Sequence, residues 1–162
     1  MKKSQIITTV YEYNSVDELS QSEQNLVKEA KEAALRSYSP YSEFKVGAAV
    51  LLENNEIIQG NNQENSAYPS GLCAERVAIF YANSMFPNVP VKAIAITSKT
   101  NGSFLDTPVP PCGSCRQVLL ETEDRYEQAI KLILCGEKKI TIIESCKEML
   151  PLYFEKDMLD GK

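Results

Sequence analysis

The sequence contains no histidine, and this absence restricts the chemistry open to the protein. Nucleophilic triads of the Ser-His or Cys-His type are excluded, and so is every zinc site that uses an imidazole ligand. A general acid or base must then be a carboxylate, Lys, Tyr or Cys. The sequence also lacks a run of about 18 apolar residues, so we expect no membrane span and no membrane partner.

Positive charge is scarce as well, since the formal net charge is −5. A protein that grips a phosphate backbone normally shows a basic excess, and here the Lys and Arg residues are scattered among acids. Nucleic acid is therefore disfavoured as a partner or substrate. The N-terminus lacks the long apolar run of a signal peptide, from which we expect a cytoplasmic location.

The five cysteines form an odd number in a chain without a secretion signal, so a disulfide framework is not expected. Metal binding and simple burial remain the two interpretations of these residues. A structural four-sulfur site would need Cys135 or Cys146, and neither lies in a ligand motif.

The length of 162 residues suits one domain, which we place at residues 20–162 after an N-terminal extension at 1–19 with a possible short strand at 6–10. The apolar spacing and turn signals predict four helices and five strands. The helices are predicted at 20–38, 73–85, 112–126 and 146–154, and the strands at 45–52, 57–61, 91–98, 129–135 and 140–144.

This alternation of helices and strands predicts an α/β fold, a three-layer α/β/α sandwich with a five-stranded mixed sheet. Only the four residues 136–139 join the last two strands, and a parallel crossover needs a dozen or more. The last strand should therefore run antiparallel to its predecessor.

Two cysteine-containing segments stand out, because each is predicted to begin a helix directly after a loop. They are Cys73-Ala74-Glu75-Arg76 and Pro111-Cys112-Gly113-Ser114-Cys115-Arg116-Gln117. Cys112 and Cys115 lie one helical turn apart, where the helix dipole favours thiolates. With Cys73 they predict one zinc ion per chain, bound by three ligands with an open fourth position, as in catalytic zinc sites.

Glu75 follows the first ligand by two residues, which places a carboxylate beside the metal without making it a ligand. We predict that Glu75 is the catalytic general acid and base. Three thiolates on one dication leave excess negative charge, and we expect Arg76 and Arg116 to offset it by donating hydrogen bonds to sulfur. The ligand-x-Glu and Pro-Cys-x-x-Cys elements match the known signature of zinc deaminases, in which three cysteines are one ligand set.

From about residue 39 to residue 159 the sequence resembles the cytidine deaminase family, in particular its small homotetrameric three-cysteine branch. Besides the two cysteine segments, the resemblance lies in Ser39-Pro40-Tyr41-Ser42, Phe44-Lys45-Val46-Gly47-Ala48-Ala49, Asn62-Gln63-Glu64-Asn65-Ser66-Ala67-Tyr68 and Leu150-Pro151 followed by Phe154. It implies the sandwich fold, a homotetramer, and zinc-dependent hydrolysis of cytidine and deoxycytidine to uridine and deoxyuridine plus ammonia, a reaction of pyrimidine salvage.

The resemblance also implies roles for individual residues. Asn62 and Glu64 resemble the binders of the ribose hydroxyl groups, and Phe44 resembles the aromatic wall beside the nucleoside. Phe154 resembles an aromatic residue that enters the site of a neighbouring subunit. Pocket lining is further implied for Ser66, Tyr68 and the backbone near Ala74.

Three other functions remain open at this point. A blasticidin-type antibiotic deaminase shares the zinc motifs, although Phe44, Asn62 and Glu64 favour a nucleoside. Deamination of a nucleic acid is opposed by the negative charge and by the expected antiparallel last strand. A zinc-stabilised binding module without catalysis is opposed by Glu75 and by the open fourth position.

Overall fold

The computed structural model describes residues 1–159, in which three α-helices pack on one mixed β-sheet. The helices are α1 (Gln21–Leu35), α2 (Ala74–Met85) and α3 (Gly113–Tyr126). The strands are β1 (Tyr11–Tyr13), β2 (Lys45–Leu52), β3 (Ile57–Asn61), β4 (Val91–Thr100), β5 (Ser103–Phe104), β6 (Lys131–Cys135) and β7 (Ile140–Ile143). The predicted α/β class is confirmed. No helix in this part of the chain is both long and apolar enough to cross a membrane.

The sheet has the strand order β1-β7-β6-β4-β2-β3, with β5 paired to β4. Strands β4 and β6 are parallel, and the other pairs are antiparallel. The antiparallel β6–β7 pair agrees with the prediction from its short connection. The prediction of five strands is wrong, because the described residues form seven. The two additional strands, β1 and β5, have only three and two residues.

The first strand lies at residues 11–13 and not at residues 6–10, where the β-branched residues predicted it. Strand β1 pairs with β7, and Tyr11 lies opposite Ile142 near the end of that strand. Residues 6–9 lie beyond the end of β7, and two of them contact Glu148 instead: its carbonyl accepts from the Thr8 hydroxyl and its carboxylate from the Thr9 amide. They have no sheet edge to pair with there. The division of the chain at residue 19 stays a prediction, and residues 160–162 lie outside the described residues.

The predicted helix at residues 146–154 is also wrong. A single 3-10 turn spans Cys146–Met149, and the chain is then irregular to residue 155. Pro151 disfavours helical backbone at the residue before it. Leu152 has a φ of 56°, in the left-handed region. The apolar residues of this segment therefore do not share one helical face.

The sheet has a hydrophobic cluster on each face. In β4, Ile94 and Ile96 belong to the cluster that includes residues of α2 and α3, and Ala93 and Ala95 belong to the cluster that includes residues of α1. This alternation is the two-residue period of a strand buried on both faces. Helix α2 lies very close to β3, because a Cβ on Gly60 would be 2.5 Å from a backbone nitrogen of α2.

Helix α1 begins as predicted and ends three residues early. Ser20 and Glu23 form a capping box at its start. After Leu35 the chain leaves the helix, and the Tyr38 amide donates to the Asn62 carbonyl while the Tyr38 carbonyl accepts from the Glu64 amide. These two bonds attach the loop after β3 to the end of α1.

Candidate active site

The first two predicted metal ligands occupy equivalent places on two neighbouring helices. Cys73 is the N-cap of α2 and Cys112 is the N-cap of α3. Neither side chain caps its own helix, so both sulfur atoms are free to bind a metal. Cys115 lies in the first turn of α3 and is buried. All three sulfurs therefore lie at positive helix ends, which stabilise thiolates.

The sulfur positions fit a tetrahedral zinc ion. The Sγ atom of Cys112 is 3.9 Å from that of Cys73 and 3.5 Å from that of Cys115, and all three lie within 4.8 Å of one another. Zinc–sulfur bonds of about 2.3 Å in tetrahedral geometry separate the sulfurs by about 3.8 Å. Within residues 1–159 the group contains no fourth cysteine, and Cys135 and Cys146 are buried elsewhere. The arrangement fits a three-ligand zinc site.

The sulfur cluster is partly ionised by its own surroundings. The pKa of Cys73 falls to about 5, mainly because the Cys115 thiol donates a hydrogen bond to it, and Arg76 lowers it further. The pKa of Cys115 is raised far above its usual value by the same hydrogen bond and by burial. A thiolate is thus favoured at Cys73. Zinc binding would release the remaining thiol protons, since only thiolates are zinc ligands.

The two arginines next to the cysteines behave differently. The Nη2 atom of Arg76 lies 3.8 Å from the Cys73 sulfur and donates to it, as the sequence predicted. Arg116 contacts no sulfur: its Nε donates to the Pro111 carbonyl at 2.8 Å and its Nη1 to the Met149 carbonyl at 3.0 Å. The expectation of a bond to sulfur is therefore wrong for Arg116. Successive helical residues diverge by about 100°, so this side chain leaves the helix away from Cys115.

Glu75 lies in the first turn of α2 and is only 5% exposed. It lines the same cavity as Cys73 and Cys112. Burial raises the pKa of the Glu75 carboxyl group, and the negative charge of Cys73 raises it further. A carboxyl group with a raised pKa can both accept and donate a proton nearer neutral pH, which suits a general acid and base.

The cavity has a volume of about 640 Å³, within the range of small-molecule sites. Phe44, Asn62, Glu64 and Tyr68, four of the residues predicted to bind substrate, line it, and their binding role stays a prediction.

The remaining three predicted residues lie outside the cavity lining. Ala74 is fully buried between Cys73 and Glu75. Ser66 is exposed, and Phe154 is 55% exposed on the surface of its own chain. The structure of one chain therefore does not bring these two side chains into its own cavity, and their roles stay predictions.

Asn62 has little hydrogen-bonding capacity to spare. Its Oδ1 accepts from the Val46 amide at 2.8 Å and from the Ser37 hydroxyl at 2.5 Å, and its Nδ2 donates to the Phe44 carbonyl at 2.9 Å. One N–H of the side-chain amide is left for a ligand. Asn62 thus fixes the loop that carries Phe44 and can still donate one hydrogen bond.

Glu64 is held at the mouth of the cavity as an ionised acceptor. It accepts hydrogen bonds from the Ser42 hydroxyl, the Tyr41 amide at 2.9 Å and the Ser42 amide at 3.2 Å. The Ser42 hydroxyl is the main reason why the pKa of Glu64 is lowered. A carboxylate accepting in this way can also accept from a substrate hydroxyl group, because its two oxygens offer about four acceptor positions.

The sequence did not single out several residues of the cavity wall. Ile96 comes from the middle of β4, and only the three-dimensional packing brings it to the site. Val109 and Pro110 directly precede the second cysteine segment, and this closeness to Cys112 in the sequence could have indicated that they lie at the site. The same holds for Leu72, which directly precedes Cys73. These apolar members of the wall are Leu72, Ile96, Val109 and Pro110.

Three sulfurs arranged for one metal, an open side facing a cavity and a buried carboxyl group beside them define a catalytic metal site. Structural zinc sites close their fourth position with protein. The absence of any histidine leaves Glu75 as the acid–base group nearest the metal ligands along the chain. The class defined by this fold and site is that of zinc-dependent hydrolytic enzymes.

Comparison with known proteins gives the family. A family model described as the cytidine and deoxycytidylate deaminase zinc-binding region matches residues 20–129. The cytidine deaminase of Sporosarcina psychrophila is 47% identical over 136 residues, which cover 84% of this chain and 93% of that protein. That of Halalkalibacterium halodurans is 47% identical over 98 residues, covering 60% of this chain and 70% of that protein.

Solved structures agree with this result. The cytidine deaminase of Burkholderia pseudomallei superposes with a TM-score of 0.69 at 33% identity, covering 84% of this chain and 100% of that one. That of Mycobacterium tuberculosis gives a TM-score of 0.64 at 31% identity, with 81% and 95% covered. The chain belongs to the cytidine deaminase family.

Proposed function

We propose that the protein catalyses the zinc-dependent hydrolysis of cytidine and deoxycytidine to uridine and deoxyuridine, with release of ammonia. The observation that carries this proposal is the buried Glu75 carboxyl group, which shares a cavity large enough for a nucleoside with the ligands Cys73 and Cys112. Such a reaction would serve pyrimidine salvage. The cytoplasmic location expected from the sequence is part of the same proposal.

Zinc held by Cys73, Cys112 and Cys115 would lower the pKa of a water molecule to roughly 7, as catalytic zinc does in other hydrolytic enzymes. Glu75 takes up the proton of the attacking water. It then delivers that proton to N3 of the base as the water oxygen bonds to C4. Glu75 finally transfers the proton of the new C4 hydroxyl group to the amino group, which leaves as ammonia while the C4 carbonyl group of the uridine product forms. The raised pKa of Glu75 supports these successive transfers, since the group must hold and release a proton at the same pH.

The other residues of the cavity wall orient the substrate. The Phe44 ring provides an apolar surface for the base, and the free Nδ2 hydrogen of Asn62 and the Glu64 carboxylate bind the 3′-hydroxyl group as donor and acceptor. Both nucleosides carry this hydroxyl group, so both can bind. Tyr68 lines the same cavity.

A free nucleoside fits better than a nucleotide. Binding a 5′-phosphate normally requires Lys or Arg, or a helix N-terminus turned to the anion. The two helix N-termini at this cavity carry the metal ligands Cys73 and Cys112, so they serve the thiolates and not a phosphate. No Lys or Arg is among the cavity-lining residues, and Glu64 and Glu75 are both acidic. A phosphate group would therefore meet carboxylates without a compensating cation.

The homotetramer implied by the resemblance belongs to this proposal too. Two hydrogen bonds hold the C-terminal segment on its own α3, from Gln117 to the Phe154 carbonyl and from Lys156 to the Asp124 carbonyl, each 2.9 Å long. The backbone of Phe154 is itself one of these anchors, and its ring is left half-exposed. A side chain presented outward in this way is available to the cavity of a neighbouring subunit.

The decisive experiment replaces Glu75 by Gln, which keeps the side-chain volume and removes the titratable proton. We expect Glu75→Gln to keep the fold and one zinc ion per chain and to lose at least about 10²- to 10⁴-fold in cytidine turnover, the usual contribution of a general acid–base group. Turnover is followed by the ultraviolet absorbance of cytidine, and zinc is counted by metal analysis.

The matched control is Glu56→Gln in the exposed turn between β2 and β3, which should leave turnover unchanged. A Glu75→Gln enzyme that retained more than about a tenth of the wild-type rate would remove the role assigned to Glu75. A fully active protein without zinc would refute the whole proposal.

A further inference from the structure

Arg116 bridges two parts of the chain that lie far apart in sequence. Its guanidinium group donates to the Pro111 carbonyl and to the Met149 carbonyl, at 2.8 and 3.0 Å. The side chain is partly buried. Two bonds from one planar group fix both its position and its orientation, which a single-point donor such as Lys cannot do.

The Pro111 carbonyl belongs to the peptide that leads directly into the metal ligand Cys112. The backbone N–H of Arg116 also donates to the Cys112 carbonyl, at 3.0 Å, as the first bond of helix α3. Arg116 therefore holds two successive carbonyl groups, one on each side of the Cys112 backbone. Restraining both peptide units limits the directions in which the Cys112 sulfur can point.

Cys112 is the ligand that most needs such a restraint. Cys115 is buried inside the first turn of α3, and Cys73 is held by the guanidinium of Arg76. Cys112 is exposed, and the hydrogen-bond partners of its sulfur within the described residues are the other two sulfurs.

The second anchor of Arg116 is itself rigid. Met149 ends the 3-10 turn after β7, and the buried Glu123 of α3 holds the start of that turn through the Cys146 amide at 2.8 Å and the Lys147 amide at 3.1 Å. Arg116 and Glu123 are seven residues apart on α3, about two helical turns, and so lie on nearly the same side of the helix. The turn is thus held at both ends by one helix.

We propose that Arg116 is a positioning residue for the zinc site, which holds the Pro111–Cys112 backbone against the turn after β7 and thereby slows zinc release. It acts through backbone carbonyl groups, whereas Arg76 acts on a sulfur. This inference rests on the zinc site of the proposed function and adds a residue to it. It makes no use of the nucleoside.

The test compares two arginines of the same helix. Arg125 also donates to a proline carbonyl, that of Pro87, at 2.8 Å, but lies at the other end of α3. Arg116→Gln therefore removes two guanidinium–carbonyl bonds beside the metal site, and Arg125→Gln removes one such bond far from it. Zinc release from the loaded enzyme is measured with an excess of a chelator that changes colour, at equal intervals below each variant's unfolding temperature.

We expect zinc release from Arg116→Gln to be about 10- to 100-fold faster than from wild type, the usual effect of losing a residue that orients a ligand. Arg125→Gln should release zinc at the wild-type rate. Equal zinc-release rates in the two variants would overturn the proposal. Measuring each variant at the same interval below its unfolding temperature already removes the effect of a general loss of stability.

Arg116→Lys covers the case in which Arg116→Gln does not fold. A lysine can reach only one of the two carbonyl groups. The zinc-release rate of Arg116→Lys should therefore lie between the wild-type rate and the rate expected for Arg116→Gln. A wild-type rate would overturn the proposal. Because the assay contains no nucleoside, an enzyme that binds zinc normally but fails to deaminate cytidine would count against the proposed function alone.

Discussion

Replacing Glu123 by Gln tests how strongly the segment after β7 is held. The Glu123 carboxylate is 3% exposed, and it accepts four hydrogen bonds. Oε1 accepts from the Ile130 amide at 2.7 Å and the Cys146 amide at 2.8 Å, and Oε2 from the Ser145 hydroxyl at 3.0 Å and the Lys147 amide at 3.1 Å. Glutamine has the same shape but offers only one acceptor oxygen.

The cheaper orientation of glutamine puts its amide oxygen at the Oε1 position. The Ile130 and Cys146 amides then keep an acceptor, but lose the extra strength of a bond to a charged group, about 1 kcal/mol each. The Ser145 hydroxyl can rotate and accept from the new NH₂ group. The Lys147 amide then faces a donor and keeps only its longer bond to the Ser145 hydroxyl, at 3.3 Å, so the lost bond to the carboxylate costs about 1 kcal/mol. The free energy of unfolding should fall by about 3 kcal/mol in all.

Urea unfolding followed by circular dichroism measures this loss, at one fixed concentration of protein and zinc because binding and assembly shift apparent stability. The control is Glu121→Gln on the exposed side of the same helix, which should change stability by less than about 0.5 kcal/mol. If Glu123→Gln proved as stable as this control, the four bonds would not hold the segment, and the rigid anchor assumed for Met149 would be lost.

Two further predictions concern the site itself. Arg76→Ala removes the donor 3.8 Å from the Cys73 sulfur. Metal analysis and turnover assays should show a loss of about 10- to 100-fold in zinc affinity or in the rate of deamination. An unchanged zinc affinity and rate would mean that the side chain is merely solvated. If Phe154 acts in a neighbouring subunit, co-refolded Phe154→Ala and Glu75→Gln chains should regain up to about a quarter of the wild-type activity through hybrid sites of a closed assembly. A fully active monomer in light scattering would contradict this arrangement.

The metal ligands could be predicted from the sequence because their chemistry is encoded locally. A cysteine at the N-cap and another one turn later need only the helix itself to meet, as Cys112 and Cys115 do. Cys73 required one more assumption, that α2 and α3 begin at the same edge of the sheet. The two pairs of strands β2–β3 and β6–β7 were equally accessible, because short connections dictate antiparallel pairing.

The parts that the sequence did not predict depend on distant partners. The position of β1 depends on the length of β7, which ends at Ile143 and leaves residues 6–9 with no strand residue opposite them. β-propensity carries no information about that length. The target of Arg116 depends on where the turn at Met149 lies, more than 30 residues further along the chain. The absence of a helix around Pro151, in contrast, was predictable from the sequence. The apolar spacing indicated a helix there, but proline disfavours helical backbone at the residue before it.

Helix α3 joins the two regions that the proposed reaction needs. Its start carries two of the three sulfur ligands, and side chains along its length hold the segment that follows β7. Glu123 holds the beginning of that segment, Arg116 holds its turn at Met149, and Gln117 holds the backbone at Phe154. One rigid element therefore positions both the zinc ligands and the exposed aromatic residue. A subunit that docks Phe154 on a neighbour would be anchored through the same helix that presents its own metal site.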